Sequence, residues 1–207
     1  MRSFNLSKVL ALPELPSFIA QVDKELIKMA NSSSSSYLSD PILRLISAKG
    51  KRLRPSLVFA IVGSSQKKVD EQAIKCAVAI ELVHIASLIH DDIIDKADTR
   101  WSVPTINRVE GVGRAIVAGD FLLAKAAYYA SSVNAEIGKV VAAGISELCD
   151  GQSLEMADLY NLKRSQENLI KTIRNKTAAL FKASCIVGGL CAGVSQRDVE
   201  FLANFGQ

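Results

Sequence analysis

The stretch Asp70–Asp95, DEQAIKCAVAIELVHIASLIHDDIID, decides the fold. Between Lys75 and Asp91 its only charged side chain is Glu81. Apolar residues point in every helical direction rather than along one stripe, and no period-two alternation competes. Such a helix is enclosed by other helices, so it belongs in the middle of a bundle. The same stretch ends in acid: Asp91, Asp92 and Asp95, followed by Asp98. An apolar helix that finishes in carboxylates poses a chemical question as well as a structural one.

Outward from this centre the chain reads as further helices. LPSFIAQVDKELIKMA carries Phe18, Ile19, Val22, Leu26 and Met29 at helical spacing. Asn31–Ser36, NSSSSS, reads as a polar loop or helix-capping region. DPILRLISAKG predicts a short helix with Asp40 as N-cap, Pro41 at the first helical position and Gly50 past the end. RPSLVFAIVGSS predicts a buried helix, and four more helical stretches follow, the third of them continuous from Ser165 to Val194. Of 207 residues 49% are hydrophobic and only 6% aromatic, which suits helices better than a sandwich or barrel. The expected fold is therefore all-α, one helical domain over residues 1–207 packed around a central apolar cavity.

Composition excludes several function classes. A net charge of +4 is too mild to argue for a nucleic-acid partner. Cys76, Cys149, Cys185 and Cys191 form no C-x-x-C pair and read as buried, reduced thiols of a cytoplasmic protein. The N-terminus shows no continuous apolar signal, and no uncharged run is long enough to predict a transmembrane segment.

On a continuous helix Asp91, Asp95 and Asp98 would share one face, with Asp92 on its shoulder. Carboxylates there sit roughly 6 Å apart and repel by about 3 kcal/mol per pair at an effective dielectric of 20. Two readings follow: a solvated helix end with Lys partners, or a hard-cation site. Without sulfur or clustered imidazole the cation is Mg²⁺, which takes one or two carboxylates, waters and substrate phosphates. Two basic features match that second reading. KGKRLRP, Lys49–Pro55, places four cations beside a helix start, and Arg100 stands next to the acids.

These blocks, in this order, resemble the trans-isoprenyl diphosphate synthases of the polyprenyl synthetase family. GKRLRP, ELVHIASLIHDDIID with its DDxxD motif, AGDFLLAKA, DGQSLEMADLYN and NKTAALFKAS carry the resemblance. It implies an isoprenoid-synthase-type helical bundle. It also implies a Mg²⁺-dependent transferase that condenses isopentenyl diphosphate head-to-tail with an allylic diphosphate. By position, Asp91 and Asp95 would hold Mg²⁺, supported by Asp92 and Asp98. Arg100, Lys176 and Thr177 would contact the allylic diphosphate. Lys51, Arg54 and His84 would hold isopentenyl diphosphate, with Arg52 and Gln152 as further substrate-binding candidates. Small side chains at Val83, Ala86 and Ser87 would leave room for a product longer than C15. The family implies a homodimer, or a heteromeric synthase with a partner subunit.

The chain departs from the family pattern in two places. Trp101 stands where a second Arg binds isopentenyl diphosphate, and Ser102 replaces a Gly. The second aspartate-rich motif would follow FGQ, where the given sequence ends at Gln207, so the bundle is expected to be truncated at that end. With both departures the 207 residues alone are expected to have little synthase activity. A non-catalytic subunit bound to a partner synthase is therefore the rival reading. A ferritin-like di-iron bundle, suggested by Glu81-x-x-His84, would need a second such pair, and His90 is the only other histidine.

Overall fold

The computed structural model describes residues 6–48 and 50–207. Residues 1–5 and Lys49, one of the four cations counted above, lie outside the described residues. The elements are helices α1 (Leu6–Val9), α2 (Leu15–Ala30), α3 (Ser36–Ser47), α4 (Leu53–Ser64) and α5 (Glu71–Ile94), then a hairpin of β1 (Thr99–Arg100) and β2 (Val103–Pro104). They continue as α6 (Ile106–Glu110), α7 (Val112–Ser131), α8 (Ala135–Ala157), α9 (Gln166–Ile173), a π-helical turn (Arg174–Ala178), α10 (Ala179–Ala192) and α11 (Gln196–Phe205). The all-α expectation holds.

Helix α5 is the axis. Asp70 caps it by accepting a hydrogen bond from the Ala73 N–H at 2.9 Å, and Ala77–Leu82, Val83, Ile85 and Ala86 are fully enclosed or nearly so. Its neighbours α2, α4, α7, α8 and α10 pack around it. By length and composition α5 could cross a membrane, although Glu81 interrupts its apolar run, and most of that stretch is buried inside the bundle. Side α4 meets α10 closely because Gly188 has no side chain: a Cβ there would lie 3.1 Å from Cβ of Ile61.

Three local expectations need correction. Helix α3 begins at Ser36, so Asp40 and Pro41 lie inside it rather than at its start. Proline at position 41 has no N–H for the Tyr37 carbonyl. Arg114 satisfies that carbonyl through Nε and lays its guanidinium 3.7 Å above the Tyr37 ring. Helix α5 ends at Ile94; Asp95 is its C-cap, and Lys96 turns the chain aside with φ of 52°. Asp98 therefore leaves the helical face and pairs with Arg108 at 3.3 Å, with both side chains mostly in solvent. Finally, the predicted helix from Ser165 to Val194 is interrupted by the π turn. The cysteine reading also changes: all four thiols are free, but Cys149 is exposed.

The β1–β2 hairpin turns through Trp101 (φ 51°) and Ser102 (φ 66°). A two-residue turn with both φ positive is type I′, which favours Asn-Gly. Ser102→Gly should relieve the left-handed cost at its own position and raise stability by about 0.5–1 kcal/mol in urea denaturation. Unchanged or lower stability would contradict this turn geometry.

Candidate active site

A cavity of about 540 Å³ opens beside the C-terminal half of α5. Val83, His84, Ser87, Leu88, His90, Asp91 and Ile94 line it from α5. Their spacing follows one helical stripe. Opposite stand Ile145, Leu148, Cys149, Gln152, Ser153 and Met156 of α8, with Leu123, Lys176, Thr177, Leu180 and Arg54 closing the ring. The walls are mainly aliphatic, and the polar groups include Arg54, His84, Asp91, Gln152, Lys176 and Thr177. The helices of one bundle thus bring together sequence positions 54, 84, 91, 152, 176 and 177, all of them among the expected site residues.

Asp91 is the acid of this cavity. Burial pushes its carboxyl above the usual range, and the nearby Asp95 and Glu155 carboxylates push it further, against the pull of Lys176 and Arg100. Lys176 itself ion-pairs with Glu155. Glu155 escaped the sequence reading, yet it lies one turn beyond Gln152 in DGQSLE, a spacing that puts both on the same face of α8. The π turn delivers Lys176 to that face. It fits because α8 offers Gly151, whose absent Cβ would fall 2.3 Å from the Lys176 backbone nitrogen. Single π turns inside helices are frequent at functional sites.

At the other side of the cavity Arg54 is largely buried, its guanidinium 4.6 Å from the Phe181 ring centre. Its buried Nε has no hydrogen-bond partner, and neither does Oε1 of Gln152. Burial lowers the pKa of Arg54 from its usual value. A buried donor without a partner is costly, so Arg54 Nε can take a hydrogen-bond acceptor such as an anion oxygen. His84 is held neutral: burial, and then the charges of Arg54, Arg52 and Arg100, push its pKa down to about 3. The unfolded chain protonates this histidine near pH 6.5 and the folded protein does not. Its contribution is thus complete above that pH and is lost as pH falls from about 6.5 toward 3, at about 1.4 kcal/mol per pH unit. Stability measured against pH for His84→Gln should be flatter than for the wild type by one proton over that window. Parallel curves would place His84 in solvent.

Other expected site residues stand elsewhere. Arg52 is buried and committed to the scaffold, bonded to Glu81 at 2.8 Å, Asp23 at 2.9 Å and the Ile46 carbonyl at 3.3 Å. It is not a substrate ligand in this arrangement. Asp92 is 2% exposed and is held by Arg100 through Nε at 2.9 Å and through Nη2, so this pair braces the hairpin against α5. Asp98 pairs with Arg108 and does not support a metal. Asp95 is exposed at the end of α5, and Lys51 is exposed before α4. Ala86 is fully buried and does not line the cavity. It lies off the stripe of Val83, Ser87 and Asp91, so it is no part of a chain-length pocket wall. Trp101 covers the loop before α4: a Cβ on Gly50 would meet its ring at 3.0 Å. Glu81 faces Arg52 rather than His84's cavity, and no group of three metal-ligating side chains occurs among the described residues. That removes the di-iron reading.

Comparison with known proteins agrees with this geometry. The pattern of the Polyprenyl synthetase family matches residues 35–207. Heptaprenyl diphosphate synthase component 2 of Geobacillus stearothermophilus is 37% identical over 190 residues, 91% of this chain and 58% of that protein. The short chain isoprenyl diphosphate synthase of Methanocaldococcus jannaschii is 34% identical over 193 residues, 90% of this chain and 58% of that one. The chain therefore spans less than two thirds of the length of these relatives. The crystal structure of a Caulobacter crescentus polyprenyl synthase, complexed with calcium and isoprenyl diphosphate, superposes with a TM-score of 0.88 at 27% identity, covering 100% of this chain and 62% of that one. A decaprenyl diphosphate synthase from Rhodobacter capsulatus gives 0.88 at 28% identity, over 97% and 60% of the two chains. A shared helical order, a cavity lined by the expected motifs and a family match over most of its length lead to one assignment: the chain belongs to the polyprenyl synthetase family.

Proposed function

We propose that the protein is a prenyltransferase that lengthens an allylic diphosphate with isopentenyl diphosphate and makes a product longer than C15. The observation that carries this reading is the placement of Asp91, Lys176 and Thr177 on one aliphatic cavity with Arg54, whose Nε is buried without a hydrogen-bond partner. A diphosphate bearing an apolar tail matches both halves of that cavity.

A divalent cation fits the acid side. Asp91 and Asp95 offer hard oxygen donors, and their mutual repulsion is what a cation would relieve. Mg²⁺ takes one or two carboxylates and otherwise retains waters and substrate oxygens, which suits such a pair. When bound, Mg²⁺ would supply charge neutralisation for the departing diphosphate. Lys176 and Thr177 would bind that diphosphate directly, Lys176 exchanging its Glu155 partner for phosphate oxygens. Arg54 and Lys51 would hold the second diphosphate. His84, being neutral, can give it one N–H without adding charge. Leu88, Leu123, Ile145, Leu148 and Leu180 would keep water from the allylic cation until the isopentenyl double bond attacks.

Labelled isopentenyl diphosphate, supplied with geranyl or farnesyl diphosphate and Mg²⁺, tests the reading on the full-length protein. Incorporation into products above C15 is expected. No incorporation with any allylic diphosphate would refute it. Ser87→Phe should shift the products to shorter chains, because Ser87 lines the cavity; Ala86→Phe should instead destabilise the core by about 1–3 kcal/mol, because Ala86 has no open space beside it. Equal shortening by both would contradict the stripe described here.

One observation favours a second reading. Trp101 puts an indole, not a cation, over the loop that carries Lys51. A subunit that binds one diphosphate and works with a companion would tolerate this, and one relative is named as component 2 of its synthase. If that reading holds, incorporation appears only after a partner subunit is added.

A further inference from the structure

We propose that Cys76 and Cys191 are a redox-sensitive pair that closes a disulfide between α5 and α10 at the end of the bundle remote from the cavity. Their sulfurs lie 3.4 Å apart although the residues are 115 apart in sequence. Cys76 is completely buried, while Cys191 is only partly covered. A disulfide needs about 2.05 Å between sulfurs, so the pair must close by about 1.4 Å. The end of α10 can supply that movement. Cys191 is in its last turn, Ala192 ends the helix, and Gly193 follows with φ of 67°, a conformation glycine adopts without strain.

The two thiols are chemically unequal. Lys67 donates from Nζ to the Cys191 carbonyl at 3.1 Å. The contact with Cys76 and, more weakly, that positive charge lower the pKa of the Cys191 thiol, against burial and the Asp70 carboxylate. The same contact, and then burial, push the Cys76 thiol up and keep it protonated. The reaction that follows is ordered. The Cys191 thiolate attacks the O–O bond of a hydroperoxide, and the departing oxygen takes a proton to leave as alcohol or water. Cys191 is then a sulfenic acid. Cys76 attacks that sulfur, loses its proton, and expels water. In total, two thiols are oxidised to one disulfide and one hydroperoxide is reduced, with two protons accounted for in the released water and alcohol.

The geometry also predicts what the bond would do. Cys76 precedes Asp91 by fifteen residues on the same helix, about 22 Å at 1.5 Å per residue. The bond would therefore tie together the two helices that carry or follow the site residues without entering the cavity. It would act on unfolding and on the relative motion of α5 and α10.

Peptide mapping of the peroxide-treated protein tests this. The protein is exposed to hydrogen peroxide, unfolded, alkylated and digested without reduction. Fragmentation then assigns each sulfur, which is needed because Cys185 and Cys191 fall on one tryptic peptide. The expected product joins Cys76 to Cys191 and is two hydrogens lighter than the separate peptides, while Cys149 and Cys185 do not form that link. The thermal midpoint should rise by about 5–10 °C on oxidation and fall back with dithiothreitol. Cys191→Ser should show neither the link nor the rise. Alkylated Cys76 and Cys191 after oxidation, a link from Cys191 to another cysteine, or an equal rise in Cys191→Ser would each overturn the proposal. The mapping on the wild type decides even if the variant folds poorly.

Discussion

Arg52→Met should cost about 3–5 kcal/mol of stability, the largest single effect expected of any side chain in this fold. Arg52 and Glu81 are 4% and 1% exposed and meet at 2.8 Å. Removing the guanidinium leaves a carboxylate in the core with no counterion, and one oxygen of Glu81 already lacks a hydrogen-bond partner. Burial pushes that carboxyl above its usual range, and the charge and hydrogen bond of Arg52 pull the other way. Asp23, more exposed, can turn to water. Replacing both members, Arg52→Met with Glu81→Met, should recover most of the loss, because the cost lies in the orphaned charge. Arg54→Met makes the contrast. Among the described residues no anion is bonded to Arg54, so its loss should leave stability within about 1 kcal/mol while weakening diphosphate binding. Chemical denaturation of the three variants separates the roles; an Arg52 variant as stable as wild type, with impaired diphosphate binding, would return Arg52 to the substrate.

That pair also shows where a sequence stops being readable. Both arginines sit in GKRLRP, and nothing local distinguishes them. The partners of Arg52 are Asp23 and Glu81, each 29 residues away, so only the packed fold reveals which arginine is spent on structure. The centre of the bundle was legible, because an all-round apolar run ending in acid has few other places to go. Asp91, His84, Ser87 and Val83 follow from it by helical spacing, whereas Ala86, read with Val83 and Ser87 as one pocket, lies in the core instead. Asp98 was not legible. The helix stops at Asp95 through a left-handed Lys96 and a turn at Trp101 and Ser102, and none of these is the glycine or proline that would announce a stop. The π turn was likewise silent, since its cause is a glycine on a different helix. The early start of α3 was hidden because Arg114, distant in sequence, supplies the hydrogen bond that Pro41 cannot.

The account rests on a diphosphate held through Asp91 at the mouth of the cavity. Asp91 is the half-buried carboxylate there, Asp95 is exposed beside it, and Asp92 is bound to Arg100. These differences set an order of effects. Asp91→Asn keeps the shape and removes the charge, so metal-dependent binding should fall by about 10²–10³, the size of a lost transition-state or oxyanion contact in a dry site. Asp98→Asn, whose target sits in solvent against Arg108, should change binding by less than twofold, within the effect of an exposed pair. Isothermal titration of geranyl diphosphate into the protein, with and without Mg²⁺, is the most direct measurement. The account predicts tight binding that requires Mg²⁺ and is lost in Asp91→Asn; affinity that is the same in wild type and Asp91→Asn, or indifferent to Mg²⁺, would contradict it.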